Sequence, residues 1–114
     1  MGKNNELYFN FAFMNPMEDN INQGTHKDQR KCLIDNRLGL HARAAAKFVR
    51  LAEAFKSEVW VIHNGNRVSG VSILGLMMLA AAPGTELIVV AEGCDASEAL
   101  DALVKLIGNK FDED

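Results

Sequence analysis

The sequence is poor in the residues that reinforce small or specialised folds. Its 114 residues include two Cys, two Pro, one Trp and one Tyr. Cys32 and Cys94 lie far apart in the chain, and neither belongs to a Cys-x-x-Cys pair. We therefore expect neither a disulfide framework nor a zinc site. Nothing in the sequence indicates a bound cofactor or metal.

Long hydrophobic runs are also missing. No apolar stretch approaches the roughly 20 residues that a membrane-spanning helix needs. The segment "FNFAFMNPM" at 9–17 is short and interrupted by Asn and Pro, unlike the apolar part of a secretory signal. We therefore expect no membrane insertion and a cytoplasmic location.

Positive charge is not in excess, since 12 Lys and Arg face 15 Asp and Glu and the net charge is −3. A nucleic-acid binder usually carries a basic stripe, so this balance argues against that class. A hydrophobic share of 48% and a charged share of 24% are typical of a soluble globular protein. The length predicts one domain.

The first thirty residues differ from the rest. They hold six Asn and show no sustained hydrophobic period, so 1–30 is predicted to be a flexible N-terminal extension. Met17 could serve as an alternative start, and His26 is interpreted as a solvated residue of this extension. The folded domain is expected to occupy 31–114.

The order of elements in that domain predicts its class. The pattern indicates a strand at 30–35, an amphipathic helix from Ala42, a hairpin turning at Asn64–Gly65, a short helix after Ser72, a strand at 85–93 and a helix after Asp95. Asp95 and Glu98 have the spacing of a capping box. An α+β two-layer sandwich with a partly antiparallel sheet follows.

The stretch "GLHAR" at 39–43 carries the candidate chemistry. Gly39 permits a tight turn, and His41 then falls at the start of the helix, where backbone N–H groups lack intrahelical partners. Such a helix start binds anions, and Arg43 adds a donor suited to phosphate. A single histidine in this setting suits a transient phosphoryl carrier. The alternative is an ordinary helix cap beside a solvated arginine.

"GLHAR" together with "SILGLMML", about thirty residues later, resembles the HPr phosphocarrier family of the phosphoenolpyruvate-dependent phosphotransferase system. The resemblance covers about 31–110. It implies an open-faced sandwich with a four-stranded antiparallel sheet, in the order 1-4-2-3, and three helices on one face. It also implies a bacterial phosphocarrier that serves sugar transport and is a substrate of phosphotransferases rather than an enzyme.

The resemblance further implies site residues and partners. His41 would take phosphate on Nδ1 from enzyme I and pass it to an enzyme IIA component, with Arg43 assisting. Ser72 would be the phosphoserine formed by an HPr kinase/phosphorylase. The exposed apolar positions that dock on partners would be Ile73, Leu74 and Met77. We expect a monomer.

Two positions depart from the family pattern. Ala44 stands where most members have Pro, and Leu38 stands where a polar residue is frequent. Pro is favoured at helix starts for its fixed φ, so Ala44 should adjust the helix entry and leave the site in place. The substitution at Leu38 leaves the hydrogen-bond partner of the His41 ring open.

Other interpretations remain at this level. A nitrogen-related or regulatory carrier would share the fold and pass phosphate to signalling partners without sugar transport. A metabolite-binding α+β module would not depend on His41. Ser72 could act as a helix cap alone, and the short helix could be fully buried.

Overall fold

The computed structural model describes residues 26–80 and 82–113. Its elements, in chain order, are β1 His26–Leu33, α1 Ala42–Ala52, β2 Glu58–His63, β3 Asn66–Ser69, α2 Ile73–Leu79, β4 Glu86–Gly93, α3 Ala96–Gly108 and a 3-10 turn at Lys110–Asp112. The predicted order of strands and helices is confirmed. Within these ranges no helix has the length and apolar character needed to cross a membrane.

The four strands form one antiparallel sheet in the order β1-β4-β2-β3. The register places Val61 of β2 between Val68 of β3 and Val89 of β4, and Cys32 of β1 opposite Leu87 of β4. These side chains share the face that the helices cover. The sheet order implied by the family resemblance is confirmed.

β1 begins earlier than the sequence pattern indicated. It starts at His26, opposite Gly93, and not at Arg30. β1 is an edge strand with mostly exposed polar side chains in its first half, and backbone pairing with β4 holds it there. A strand of this kind has no hydrophobic alternation to reveal it. Residues 26–30 therefore belong to the sheet, and the rest of the expected extension lies outside the described residues.

The core lies between the sheet and the helices. α1 buries the apolar stripe that the sequence predicted, and the largest member, Phe48, is 1% exposed. α3 adds Leu100 and Leu103, and α2 adds Leu76, all fully buried. Each buried Leu or Phe contributes about 1.5–3 kcal/mol through the hydrophobic effect. This packing fixes the start of α1, and therefore the candidate site, against the sheet.

The hairpin between β2 and β3 turns at the predicted dipeptide. Asn64 and Gly65 both have positive φ, 51° and 79°, as the type I′ turn requires. His63 pairs with Asn66 across the hairpin, next to this turn.

The face of the sheet away from the helices carries Trp60, with Val90 and Ser69 opposite it on the neighbouring strands. Trp60 is 8% exposed, and two cations lie over its ring. Arg67 lies 4.7 Å and Lys27 5.7 Å from the ring centroid. These distances are within the range of cation–π attraction.

The capping box expected at the start of α3 is wrong. Asp95 is the N-cap residue, but its side chain makes no capping bond. Its carboxylate instead accepts from the backbone N–H of Lys56 and from the N–H and hydroxyl of Ser57. The aspartate therefore fastens the loop between α1 and β2, which a spacing rule within one helix does not anticipate.

Candidate functional site

His41 is the N-cap of α1, as the sequence predicted. Gly39 has a φ of 68° and turns the chain from the end of the first strand toward the helix. The backbone of His41 is extended, with φ −82° and ψ −179°. Its carbonyl accepts from Ala45 N at 2.8 Å, and its Nδ1 accepts from the N–H of Arg43 at 3.3 Å. The imidazole thus satisfies one of the free donors of the helix start.

The other ring nitrogen contacts a residue that the sequence did not single out. Nε2 of His41 lies 2.9 Å from Oε1 and 2.8 Å from Oε2 of Glu113. The amide of the fully buried Asn36 donates to Gly39 O at 2.8 Å and to Glu113 Oε1 at 3.3 Å. The partner of the His41 ring, left open by the sequence, is therefore a carboxylate.

The electrostatics of Glu113 follow from these contacts. The hydrogen bond with His41 lowers the pKa of the Glu113 carboxyl, and burial opposes that shift in part. The bond from Asn36 and the nearby Arg43 also lower it. The group is therefore a carboxylate at neutral pH, and 10% of its side chain is exposed.

A left-handed turn brings Glu113 to the ring. Lys110, Phe111 and Asp112 have φ values of 56°, 55° and 62°. Phe111 is fully buried, and Lys47 donates from Nζ to its carbonyl at 2.7 Å. The acidic stretch that begins at Phe111 is thus packed on the domain as far as Glu113. We call residues 110–113 the C-terminal turn.

Arg43 presents its guanidinium to solvent beside the ring. Its side chain is 71% exposed, and its Nε lies 3.9 Å from Glu113 Oε2. Ala44, which replaces the family's usual Pro, is fully buried under the first turn of α1. The helix starts at Ala42 in spite of that replacement. An exposed charged donor therefore stands next to the imidazole.

Ser72 is the N-cap of α2, as predicted, and its Oγ accepts from Gly75 N at 3.0 Å. The residues around it are apolar and exposed. Ile73 is 41% and Leu74 67% exposed, as the family resemblance implied. The fully buried helix considered as an alternative is therefore wrong.

Met77 does not share this exposure. It is partly buried and packs against the core, whereas Met78 is 79% exposed. A flexible methionine side chain can fill such a gap at the edge of a core. Exposed apolar side chains also precede the two helices, at Leu38 and Val71. We call Val71, Ile73, Leu74 and Met78 the α2 patch.

The start of α1 and the end of α2 are joined through the backbone. Leu40, the residue before His41, donates its N–H to the carbonyl of Ala80 at the end of α2, at 3.3 Å. The sequence-predicted residues therefore lie on two adjoining helices of one layer. His41 and Arg43 contact each other at the start of α1. Ser72 is not part of that contact, because its side chain bonds to Gly75 of α2.

The fold is an open-faced α+β sandwich with one helix-capping imidazole, which is flanked by an arginine and held by a carboxylate. This combination defines a class of protein that carries a small anionic group. Among the described residues no group of three His, Cys, Asp or Glu side chains is placed to hold a metal ion.

Comparison with known proteins assigns the family. The family model of the PTS HPr component phosphorylation site matches residues 29–109. The chain belongs to this family, and it is an HPr phosphocarrier of the phosphotransferase system, not a catalyst.

Relatives and solved structures agree. Phosphocarrier protein HPr of Neisseria meningitidis serogroup B is 56% identical over 80 residues, covering 70% of this chain and 90% of that protein. Phosphocarrier protein NPr of Shewanella violacea is 42% identical over 87 residues, covering 76% and 96%. A crystal structure of HPr from Thermoanaerobacter tengcongensis matches with a TM-score of 0.73 at 42% identity, covering 76% and 98%.

Proposed function

We propose that Nδ1 of His41 accepts a phosphoryl group from enzyme I and passes it to an enzyme IIA component. The observation that carries the proposal is the ring geometry. Nδ1 accepts the N–H of Arg43 at 3.3 Å, while Nε2 contacts Glu113. With the ring proton on Nε2, Nδ1 carries the lone pair, and it lies beside the N-terminus of α1. In the transfer, a bond forms between Nδ1 and phosphorus as the donor's bond to phosphorus breaks.

The surroundings of Nδ1 suit the phosphorylated state. Backbone N–H groups of the first turn of α1 and the exposed Arg43 guanidinium offer donors to phosphate oxygens. Charge-assisted bonds of this type are about twice as strong as neutral ones. The bound phosphoryl group would draw Arg43 away from its 3.9 Å approach to Glu113.

Incubation with enzyme I and phosphoenolpyruvate tests the proposal. The chain should take up one acid-labile phosphoryl group, and His41→Ala should take up none. His63→Ala is the matched control, because His63 lies in the β2–β3 hairpin and bonds to Glu86 O through Nδ1 at 3.1 Å. Normal labelling of the His41 variant would rule out this function.

The partner surface is proposed to be the α2 patch together with Leu38. Contiguous exposed apolar side chains usually mark a binding site. Methionine suits a surface that receives several partners in turn, because its side chain adapts in shape. Met78, at 79% exposure, takes the place in this set that the family resemblance gave to Met77.

Ser72 is proposed as a regulatory phosphorylation site for an HPr kinase/phosphorylase. Its hydroxyl lies at a helix start, where negative charge is favourable, and beside exposed Ile73 and Leu74. A phosphate there adds about two negative charges to an apolar docking surface. It should weaken partner binding and leave the fold intact. Failure of Ser72 to be phosphorylated in a native bacterial extract, with Ser72→Ala as the blank, would contradict this role.

Sugar transport is the proposed branch, and a nitrogen-related regulatory branch is the second candidate. The 42% identity to a protein named NPr supports the second candidate, and the 56% identity to one named HPr supports the first. Phosphorylated protein offered in parallel to sugar-specific and nitrogen-related IIA proteins distinguishes them. The faster acceptor identifies the branch.

The chain is further proposed to act as a cytoplasmic monomer. Its membership of the phosphotransferase-system family supports a cytoplasmic carrier. A carrier that presents one surface to successive partners has no need of a second copy. Sedimentation at micromolar concentration should give the mass of one chain, and a dimer would contradict the proposal.

A further inference from the structure

We propose that Glu113 is a positioning residue for the phosphoryl carrier: its carboxylate holds Nε2 of His41 and thereby presents Nδ1 as the reacting nitrogen. This inference rests on the function proposed above. It is carried by the contact of Nε2 with both carboxylate oxygens, at 2.9 and 2.8 Å. No motif within the sequence pairs these two residues, which are separated by 72 positions.

The hydrogen bonds on the two ring nitrogens select the same tautomer. A neutral imidazole carries one N–H, and a carboxylate can only accept, so the proton lies on Nε2. The N–H of Arg43 points at Nδ1, so Nδ1 is the unprotonated nitrogen and carries the lone pair. Phosphorylation at Nδ1 leaves the Nε2 proton in place, and the carboxylate stabilises the positive charge that the ring gains.

The fold holds Glu113 in this place at an energetic cost. Three consecutive residues without a glycine, 110–112, have left-handed backbone conformations. Each such residue costs of the order of 1 kcal/mol or more and persists where surrounding contacts determine it. Burial of Phe111 and the bond from Lys47 supply those contacts.

A further contact fixes the carboxylate itself. Asn36, fully buried, donates to Glu113 and to the carbonyl of Gly39 through the same amide nitrogen. Gly39 belongs to the turn that leads into His41. The positions of the carboxylate and of the ring are therefore set by one buried amide, as expected for a prepared site rather than a chance surface contact.

The test variant is Glu113→Ala. The control variant is Asp112→Asn, which removes one negative charge from the neighbouring exposed residue. Two quantities are measured in the full chain: the initial rate of phosphoryl uptake from enzyme I, and the ¹H and ¹⁵N signals of the His41 ring. The Nε2 proton should exchange slowly with water in the parent chain and in the Asp112 variant. Thermal unfolding of each variant confirms that it is folded.

We expect Glu113→Ala to lower kcat for uptake about tenfold, the lower end of the effect of removing a histidine's outer partner in metal sites. The KM for enzyme I should not change, and the Nε2 proton signal should be lost to exchange. Glu113→Gln should recover part of the rate, because its amide oxygen can still accept from Nε2. A folded Glu113→Ala chain with parental kcat and ring signals would overturn the proposal, as would an equal loss in Asp112→Asn. Either result leaves labelling at His41 intact, so it is distinguishable from failure of the carrier function.

Discussion

The starts of α1 and α2 use the same capping device in different surroundings. His41 and Ser72 both have extended backbones, and each side chain accepts a backbone N–H of the first turn, at 3.3 and 3.0 Å. Charged groups surround the first, with Arg43 beside it and Glu113 brought from the end of α3. Exposed apolar residues surround the second. The cap is therefore common to both helix starts, and the difference lies in the neighbouring side chains, which are charged beside His41 and apolar beside Ser72.

The difference also concerns the range of the contacts. Ser72 bonds to Gly75, three residues away, whereas His41 contacts Glu113 across most of the domain. A local cap can be formed by almost any helix start. A cap held by a distant carboxylate depends on the complete fold, so its geometry should fail when remote packing fails.

The largest effect is expected from removing that remote packing. Phe111→Ala deletes a fully buried ring and should lower the free energy of unfolding by about 3 kcal/mol. It should also release Glu113, so phosphoryl uptake falls in molecules that remain folded, while Ser72 keeps its bond to Gly75. Denaturant unfolding measures the first effect and uptake from enzyme I the second. A parental unfolding midpoint would show that the C-terminal turn adds nothing to the fold.

Removing the charge beside His41 should have the next largest effect. Arg43→Ala is expected to slow phosphoryl uptake about tenfold, equivalent to about 1.4 kcal/mol of transition-state stabilisation. Arg50→Ala is the control, since Arg50 is exposed on the same helix and lies two turns further on. Equal rates in the two variants would mean that Arg43 acts through general charge alone.

Removing the Ser72 cap of α2 should lower the free energy of unfolding and leave phosphoryl uptake unchanged. Ser72→Ala deletes the acceptor for Gly75 N and should cost about 1 kcal/mol, the usual value for an N-cap. Uptake on His41 from enzyme I should stay at the parental rate. Thermal unfolding and the uptake assay together measure this separation. A slowed uptake would show that the two helix starts are coupled.

The smallest effect concerns the third helix start, where Asp95 is an N-cap without a capping bond. The hydroxyl of Ser57 and the N–H of Lys56 hold the pKa of Asp95 below its ordinary 3.8. The stabilisation is therefore complete above that value and is lost as pH falls through the folded pKa. Asp95→Asn should be less stable than the parent at pH 7, and the difference should shrink toward pH 3. A difference independent of pH would contradict the assignment.

Much of this molecule follows from its sequence. The stripe containing Phe48, the turn at Asn64–Gly65 and the caps at His41 and Ser72 depend on local patterns, and the structure has all of them. The strand order came from the family resemblance, because pairing between distant strands leaves no mark on a single sequence.

The features that sequence reasoning missed have long-range causes. The start of β1 at His26 depends on pairing with β4 and not on hydrophobic alternation. Asp95 serves a loop 38 residues away. Glu113 reaches His41 through three left-handed residues that no local propensity favours. The available signal was an apolar residue, Phe111, two positions before the acidic Glu113. Only the fold shows that Phe111 is buried and that it places Glu113 at the ring.

The setting of Trp60 has a practical consequence. It is the one tryptophan of the sequence, and it lies on the sheet face opposite the helices, between Lys27 and Arg67. Its fluorescence should change when the sheet dissolves and both cations leave the ring. Phosphate added on the helical side should leave the emission unchanged. The same optical signal can therefore report the unfolding of the carrier in its loaded and unloaded states without an added dye.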